Sequence, residues 1–205
     1  MNLRPKHRNT ISDTESVRAM AFTVVYDACV LYPAPLRDLL LRVAMTNVVR
    51  ARWSDAILNE CFRSILEQRP DLSQTALHRT RELMTRAVPD CLVVDFQELI
   101  EGLALPDPDD RHVLAAAIRT GAQAIVPFNL KDFPAPALSK YGVEALHPDD
   151  FLLDMIDLAP GALCAAVVKQ ASALRRPSMT TGQVLDTLRA LGLVESVAKL
   201  RSLLA

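Results

Sequence analysis

Residues 105–133 read, in order, as a loop, a helix over 108–120, a turn at Gly121, a short buried strand over 124–128 and a polar loop. A helix that passes through one glycine turn into an apolar strand constrains the rest of the chain. Such a unit belongs to a parallel α/β sheet, where successive strands need helical crossovers. Carboxylates stand at both of its ends: Asp107, Asp109 and Asp110 at the helix entry, and Asp132 just past the strand. In α/β folds, the loops at the carboxyl ends of strands and the adjoining helix starts are where ligands are held. Capping accounts for part of the acidity, since Asp107 suits an N-cap, Pro108 the first helical position, and the following acids the helix dipole. It does not account for all three, because like charges this close repel unless a cation or a proton relieves them.

The remaining elements fit the same plan. Residues 22–26 form a β-branched and aromatic run, a buried strand, and Asp27 follows it directly. A carboxylate there is costly if buried alone, so it is expected to be hydrogen-bonded, ion-paired or bound to a cation. Residues 91–96 and 141–146 read as further strands, which with 124–128 makes four, and 48–53 as an extended link. Amphipathic helices are expected over 36–45, from Ser54 as N-cap to Pro70, and over 73–87. Ile57, Leu58, Cys61, Phe62, Ile65 and Leu66 form one apolar stripe on the second of these, and Glu60 lies away from its middle. A solvated glutamate and one that lines a cleft both satisfy that placement. From Asp149 onward the chain reads as helical, with breaks at Pro160-Gly161, Pro177 and Gly192 and with Thr180 or Thr181 as a cap. The expected organisation is a flexible N-terminal arm over 1–20, an α/β domain over 21–150 and a C-terminal helical extension over 151–205.

Charge adds a distribution rather than a total. The 23 basic and 24 acidic residues nearly cancel, so net charge neither favours nor excludes a nucleic-acid partner. Between Asp90 and Asp110 there are seven acids and no Lys or Arg, whereas Arg37 to Arg86 carries nine arginines against six acids. A metal-dependent site acting on a polyanion needs this pairing of an acidic centre with a basic flank. The four cysteines are scattered without a CxxC pair, and the four histidines have no zinc-ligand spacing with them, so reduced thiols are expected. With no apolar run long enough to span a bilayer and no apolar signal segment, a cytoplasmic protein without membrane contact is expected.

Four stretches together resemble the PIN domain, in the branch related to VapC-type toxins. They are residues 24–31 (VVYDACVL), 53–60 (WSDAILNE), 107–117 (DPDDRHVLAAA) and 128–133 (FNLKDF). The resemblance spans residues 22–151 and implies an α/β/α sandwich with a central parallel sheet, acting as a Mg²⁺- or Mn²⁺-dependent endoribonuclease. Carried over residue by residue, it makes Asp27 the first-strand metal ligand, Glu60 the second acid, Asp110 the third, and Asn129 or Asp132 the fourth polar position. Asp107 and Asp109 remain rivals to Asp110. Three departures stand out: Ala28-Cys29 where many members have Thr-Asn, Pro127 where a Thr is usual, and Asn129 where Asp is frequent. The implied partners are RNA as substrate, a cognate antitoxin protein and a second copy of the chain in a homodimer. The competing expectation is a catalytically silent PIN scaffold that binds RNA or protein.

Overall fold

The computed structural model describes residues 22–205, so the expected arm over 1–20 lies outside the described residues. Five strands, β1 (Phe22–Tyr26), β2 (Val49–Ser54), β3 (Leu92–Val93), β4 (Ala124–Val126) and β5 (Glu144–Ala145), form one sheet in the order β3-β2-β1-β4-β5. Every pairing is parallel: Phe22 lies opposite Val49, Val24 opposite Ala124, Trp53 opposite Leu92, and Ala124 opposite Glu144. β1 is central and almost wholly buried, as an apolar run covered on both faces must be.

Residues 48–53, expected as an extended link, instead supply most of β2 (Val49–Ser54), the strand beside β1. Arg50 and Arg52 alternate with the buried Val49, Ala51 and Trp53. That interruption disguises an inner strand of a parallel sheet, which normally reads as continuous apolar sequence. β1 has the expected bounds, whereas β3, β4 and β5 are shorter than expected. β3 stops after two residues, and two positions on Asp95 takes a left-handed backbone (φ 56°).

Between the strands run α1 (Ala28–Leu31), α2 (Ala34–Ala44), α3 (Asp55–Gln68), α4 (Gln74–Ala87), α5 (Gln97–Ile100), α6 (Arg111–Thr120) and α7 (Ala135–Leu138). The one-turn helices α1, α5 and α7 carry too little periodicity to be read from sequence. Caps do set the longer ones: the Ser54 hydroxyl accepts from Ile57 N at 3.2 Å, and the Ser73 hydroxyl accepts from Ala76 N at 3.1 Å. The helix expected over 108–120 begins as a 3₁₀ turn, Pro108–Asp110, continues as α6, and closes at Gly121 in the left-handed conformation (φ 61°) that glycine adopts without strain. Val113 to Ala117 of α6 are all buried. The small Ala115, Ala116 and Ala117 let the helix lie close on β1, β2 and β4, which brings its N-terminus to the carboxyl edge of the sheet.

The C-terminal region comprises α8 (Pro148–Leu158), α9 (Pro160–Ala173), α10 (Thr181–Ala190) and α11 (Val194–Leu204). Thr180 and Gln183 form a capping box at α10. Phe151 of α8 meets Tyr26 edge-on at 5.9 Å, while Tyr26 stacks on Trp53 at 6.3 Å, so apolar packing continues from the sheet into these helices. The buried Gln170 of α9 donates to Pro35 O at 2.8 Å, docking α9 on the start of α2. Among the described residues no single helix is long and apolar enough to cross a membrane.

Candidate active site

Along this sheet the chain moves from β1 outward to β2 and β3 on one side and to β4 and β5 on the other. The switch in direction lies between β1 and β4, and the crevice outside their carboxyl ends is where such folds hold ligands. Asp27 ends β1, and Phe128, Asn129 and Asp132 follow β4. Glu60 lies on α3, which leaves the carboxyl end of β2, and Asp110 sits at the start of α6.

Asp27 is only 6% exposed. Its Oδ2 accepts from the Cys29 thiol at 2.8 Å, whereas its Oδ1 is buried with no hydrogen-bond partner. Burial pushes the Asp27 carboxyl above its ordinary range. The thiol and the Ala28 and Cys29 amides oppose this rise, and the charge of Glu60 adds to it. The Cys29 sulfur also accepts from Phe128 N at 3.1 Å, joining the end of β1 to the loop after β4. Burial, and then the neighbouring Asp27, push the Cys29 thiol up, so it stays protonated and donates.

Asp110 is the electrostatic centre of the group. Its carboxyl is pushed up to about 7, first by burial and then by the charges of Asp27, Asp107, Asp132 and Glu60. The charges of Asp27, Glu60, Asp107 and Asp132 therefore all act on the Asp110 carboxyl. Of the two rivals to Asp110, Asp107 is engaged locally, its Oδ1 accepting from Asp109 N at 2.9 Å, and Asp109 is exposed on the 3₁₀ turn. Asn129, also exposed, donates through Nδ2 to Asp132 Oδ2, so these two candidates for the fourth position form one unit.

Glu60 is half-buried, its side chain 35% exposed, with Oε2 at 3.3 Å from His112 Nε2. The Nδ1 of His112 is buried without a partner. Sequence reasoning missed His112 and the thiol contact of Cys29. His112 gave no signal, its partner lying 52 positions away, and Cys29 read as a small buried apolar residue.

The donor set suits a hard divalent cation. Carboxylate oxygens are its preferred ligands, and Asp27 Oδ1 is a buried oxygen with nothing else to satisfy it. Among the described residues no group of three or more His, Cys, Asp or Glu side chains is arranged to hold a metal ion. Mg²⁺, however, commonly binds through one or two carboxylates and keeps several waters.

Comparisons with known proteins agree with this architecture. A family model described as "VapC50 C-terminal domain" matches residues 148–202. Over 79 residues the chain is 51% identical to a Mycobacterium tuberculosis (strain ATCC 25618 / H37Rv) protein named "Putative ribonuclease VapC50", an alignment covering 38% of this chain and 47% of the relative. The chain thus spans about half the length of that relative. No solved structure matches. A model described as "PIN domain" matches residues 23–131, from β1 into the loop that holds Asn129, and so takes in Asp27, Glu60, Asp107 and Asp110 and stops one residue short of Asp132; with more than half of its length under that model, this chain belongs to the PIN domain family.

Proposed function

We propose that the protein is a Mg²⁺- or Mn²⁺-dependent endoribonuclease that hydrolyses RNA phosphodiester bonds, and that it is the toxin half of a toxin–antitoxin pair. The observation that carries the reading is the buried Asp27 Oδ1, which has no hydrogen-bond partner, in a site where the charges of Asp27, Asp107, Asp132 and Glu60 all push the Asp110 carboxyl up. Such a concentration of like charge opposes folding and would repel an RNA backbone. A divalent cation removes both objections.

In this reading Asp27 and Asp110 hold the ion, and Glu60 with Asp132 or Asn129 completes the ring through water or a second ion. When bound, the ion supplies the positive charge that stabilises a phosphodiester under attack by water. The protein's own part is to present carboxylates in fixed orientations. Asp27 is immobilised by burial and by Cys29, Glu60 is held by His112 across the gap between α3 and α6, and Asp132 is tied to Asn129.

Cleavage of RNA that requires Mg²⁺ and is lost in both Asp27→Asn and Asp110→Asn tests the nuclease reading. Unchanged cleavage in those variants refutes the site. Growth arrest on expression, relieved by a co-expressed antitoxin, tests the toxin role, whereas harmless overexpression of an active nuclease points to RNA processing. Asn129 in place of a charged residue, together with the lack of a ready-made three-ligand arrangement among the described residues, favours a second reading, a silent PIN scaffold that binds RNA or protein. RNA binding without cleavage at any Mg²⁺ or Mn²⁺ concentration would establish that alternative. Size measurement in solution tests the homodimer, and cell fractionation tests the cytoplasmic location.

A further inference from the structure

We infer that Cys29 is a positioning residue: its thiol holds one oxygen of the Asp27 carboxylate so that the other, buried and unpartnered, is the oxygen left for a divalent cation. The inference rests on the proposed role of Asp27 as a metal ligand, and it concerns a residue at which this chain departs from the usual PIN pattern. The thiol donates to Asp27 Oδ2 at 2.8 Å and its sulfur accepts from Phe128 N at 3.1 Å. One side chain thus spans the switch point, fastened on one side to the end of β1 and on the other to the backbone after β4.

A carboxylate is planar, so fixing one oxygen fixes the direction of the second. Free rotation would let either oxygen of Asp27 turn towards a donor and leave neither committed. Here Oδ2 is occupied and Oδ1 is not, in a residue more than nine-tenths buried. Outer groups that orient ligands in this way are usually worth 10–100-fold in metal affinity. A serine at position 29 retains both a donor and an acceptor, whereas alanine retains neither.

The test is a Mn²⁺ titration of the full chain, read by electron paramagnetic resonance. Cys29→Ala is expected to weaken Mn²⁺ binding by about tenfold or more, and Cys29→Ser to return it to within about threefold of the parent protein. Parental affinity in Cys29→Ala overturns the inference, as does equal weakening in the serine and alanine variants. Asp27→Asn separates the two levels of the claim. If it too binds Mn²⁺ like the parent, the metal role of Asp27 fails and the inference with it; if Asp27→Asn loses Mn²⁺ while Cys29→Ala keeps it, only the inference fails. Should Cys29→Ala not fold, the infrared S–H stretch of the metal-free protein, isolated by difference against Cys29→Ser, provides the reading. A hydrogen-bonded band that moves to higher frequency in Asp27→Asn supports the tether, and a band at the free-thiol position overturns it.

Discussion

Two buried aspartates, Asp27 in the sheet and Asp149 in the C-terminal helices, are treated in opposite ways. Asp149 stands in the first turn of α8, where His147 Nδ1 accepts from its own amide at 3.2 Å, yet its carboxylate caps a different helix. Oδ2 accepts from Glu195 N, and Oδ1 from Ser196 N, both at 2.9 Å, and the Ser196 hydroxyl donates to Oδ1 as well. Burial opposes its ionisation, but these donors prevail and hold the carboxyl below its ordinary range. Asp27 has one thiol and the lesser pull of the Ala28 and Cys29 amides, an oxygen without a hydrogen-bond partner, and a carboxyl that burial still pushes upward. A buried charge with both of its oxygens engaged fastens α11 to α8. One left half-engaged is poised for a ligand, and the stability given up there is a common trait of functional sites.

The comparison breaks most visibly at Asp27. Asp27→Asn is expected to reduce metal-dependent RNA cleavage by on the order of 10²–10³-fold, while the urea midpoint stays level or rises because a poorly solvated charge has gone. A large fall in midpoint would place Asp27 with Asp149 as a structural group. Asp149→Ala should do the reverse. Losing the bonds to Glu195 and Ser196 costs about 3 kcal/mol of unfolding free energy in urea titrations, with cleavage per folded molecule retained. A variant as stable as the parent would show that the α8–α11 junction holds by apolar packing alone.

His112 sharpens the contrast within the site. Its bond to Glu60 joins α3 to α6, so His112→Ala is expected to raise the Mg²⁺ concentration needed for half-maximal cleavage by about tenfold, with His112→Gln, which keeps an N–H donor, affected less. Equal effects of the two would assign His112 a packing role.

How far these features could be read from sequence depends on whether their cause is local. The unit from Pro108 to Val126 was legible because its proline, Gly121 and buried run follow from neighbouring residues, and Asp27 was legible because a carboxylate after a strand needs an explanation. β2 was not, since Arg50 and Arg52 interrupt it and its place beside β1 is a tertiary fact. Within the site the acids could be named singly, but their partners could not. Glu60 meets His112 across 52 positions, Asp149 meets Ser196 across 47, and the Cys29 thiol looks like any small buried residue until its donor direction is seen. The helical tail was expected from its breaks and caps, whereas its use of Asp149 as a cap for another helix follows only from packing.

The smallest expected effect is also the one that reads both aspartate environments in a single experiment, the melting temperature of metal-free protein against pH. For Asp110, with a folded value of about 7 against an ordinary 3.8, the native state holds more protons than the unfolded chain between those values, so stability falls as pH rises through that window. Asp27, also raised, acts in the same direction. Asp149 is depressed, so its contribution is present above its ordinary value and is lost only as pH drops below it. The contribution of Asp110 and Asp27 to the stability of the metal-free protein should therefore be largest near pH 4–5 and fade towards neutrality. Saturating Mg²⁺, which binds only the ionised acids, should offset that fading, and Asp110→Asn should reduce both the slope and the Mg²⁺ response. A melting temperature that climbs from pH 4 to 7 without metal would mean that the acids around Asp110 are already relieved by cations within the chain, and the case for a divalent ion would lose its electrostatic basis.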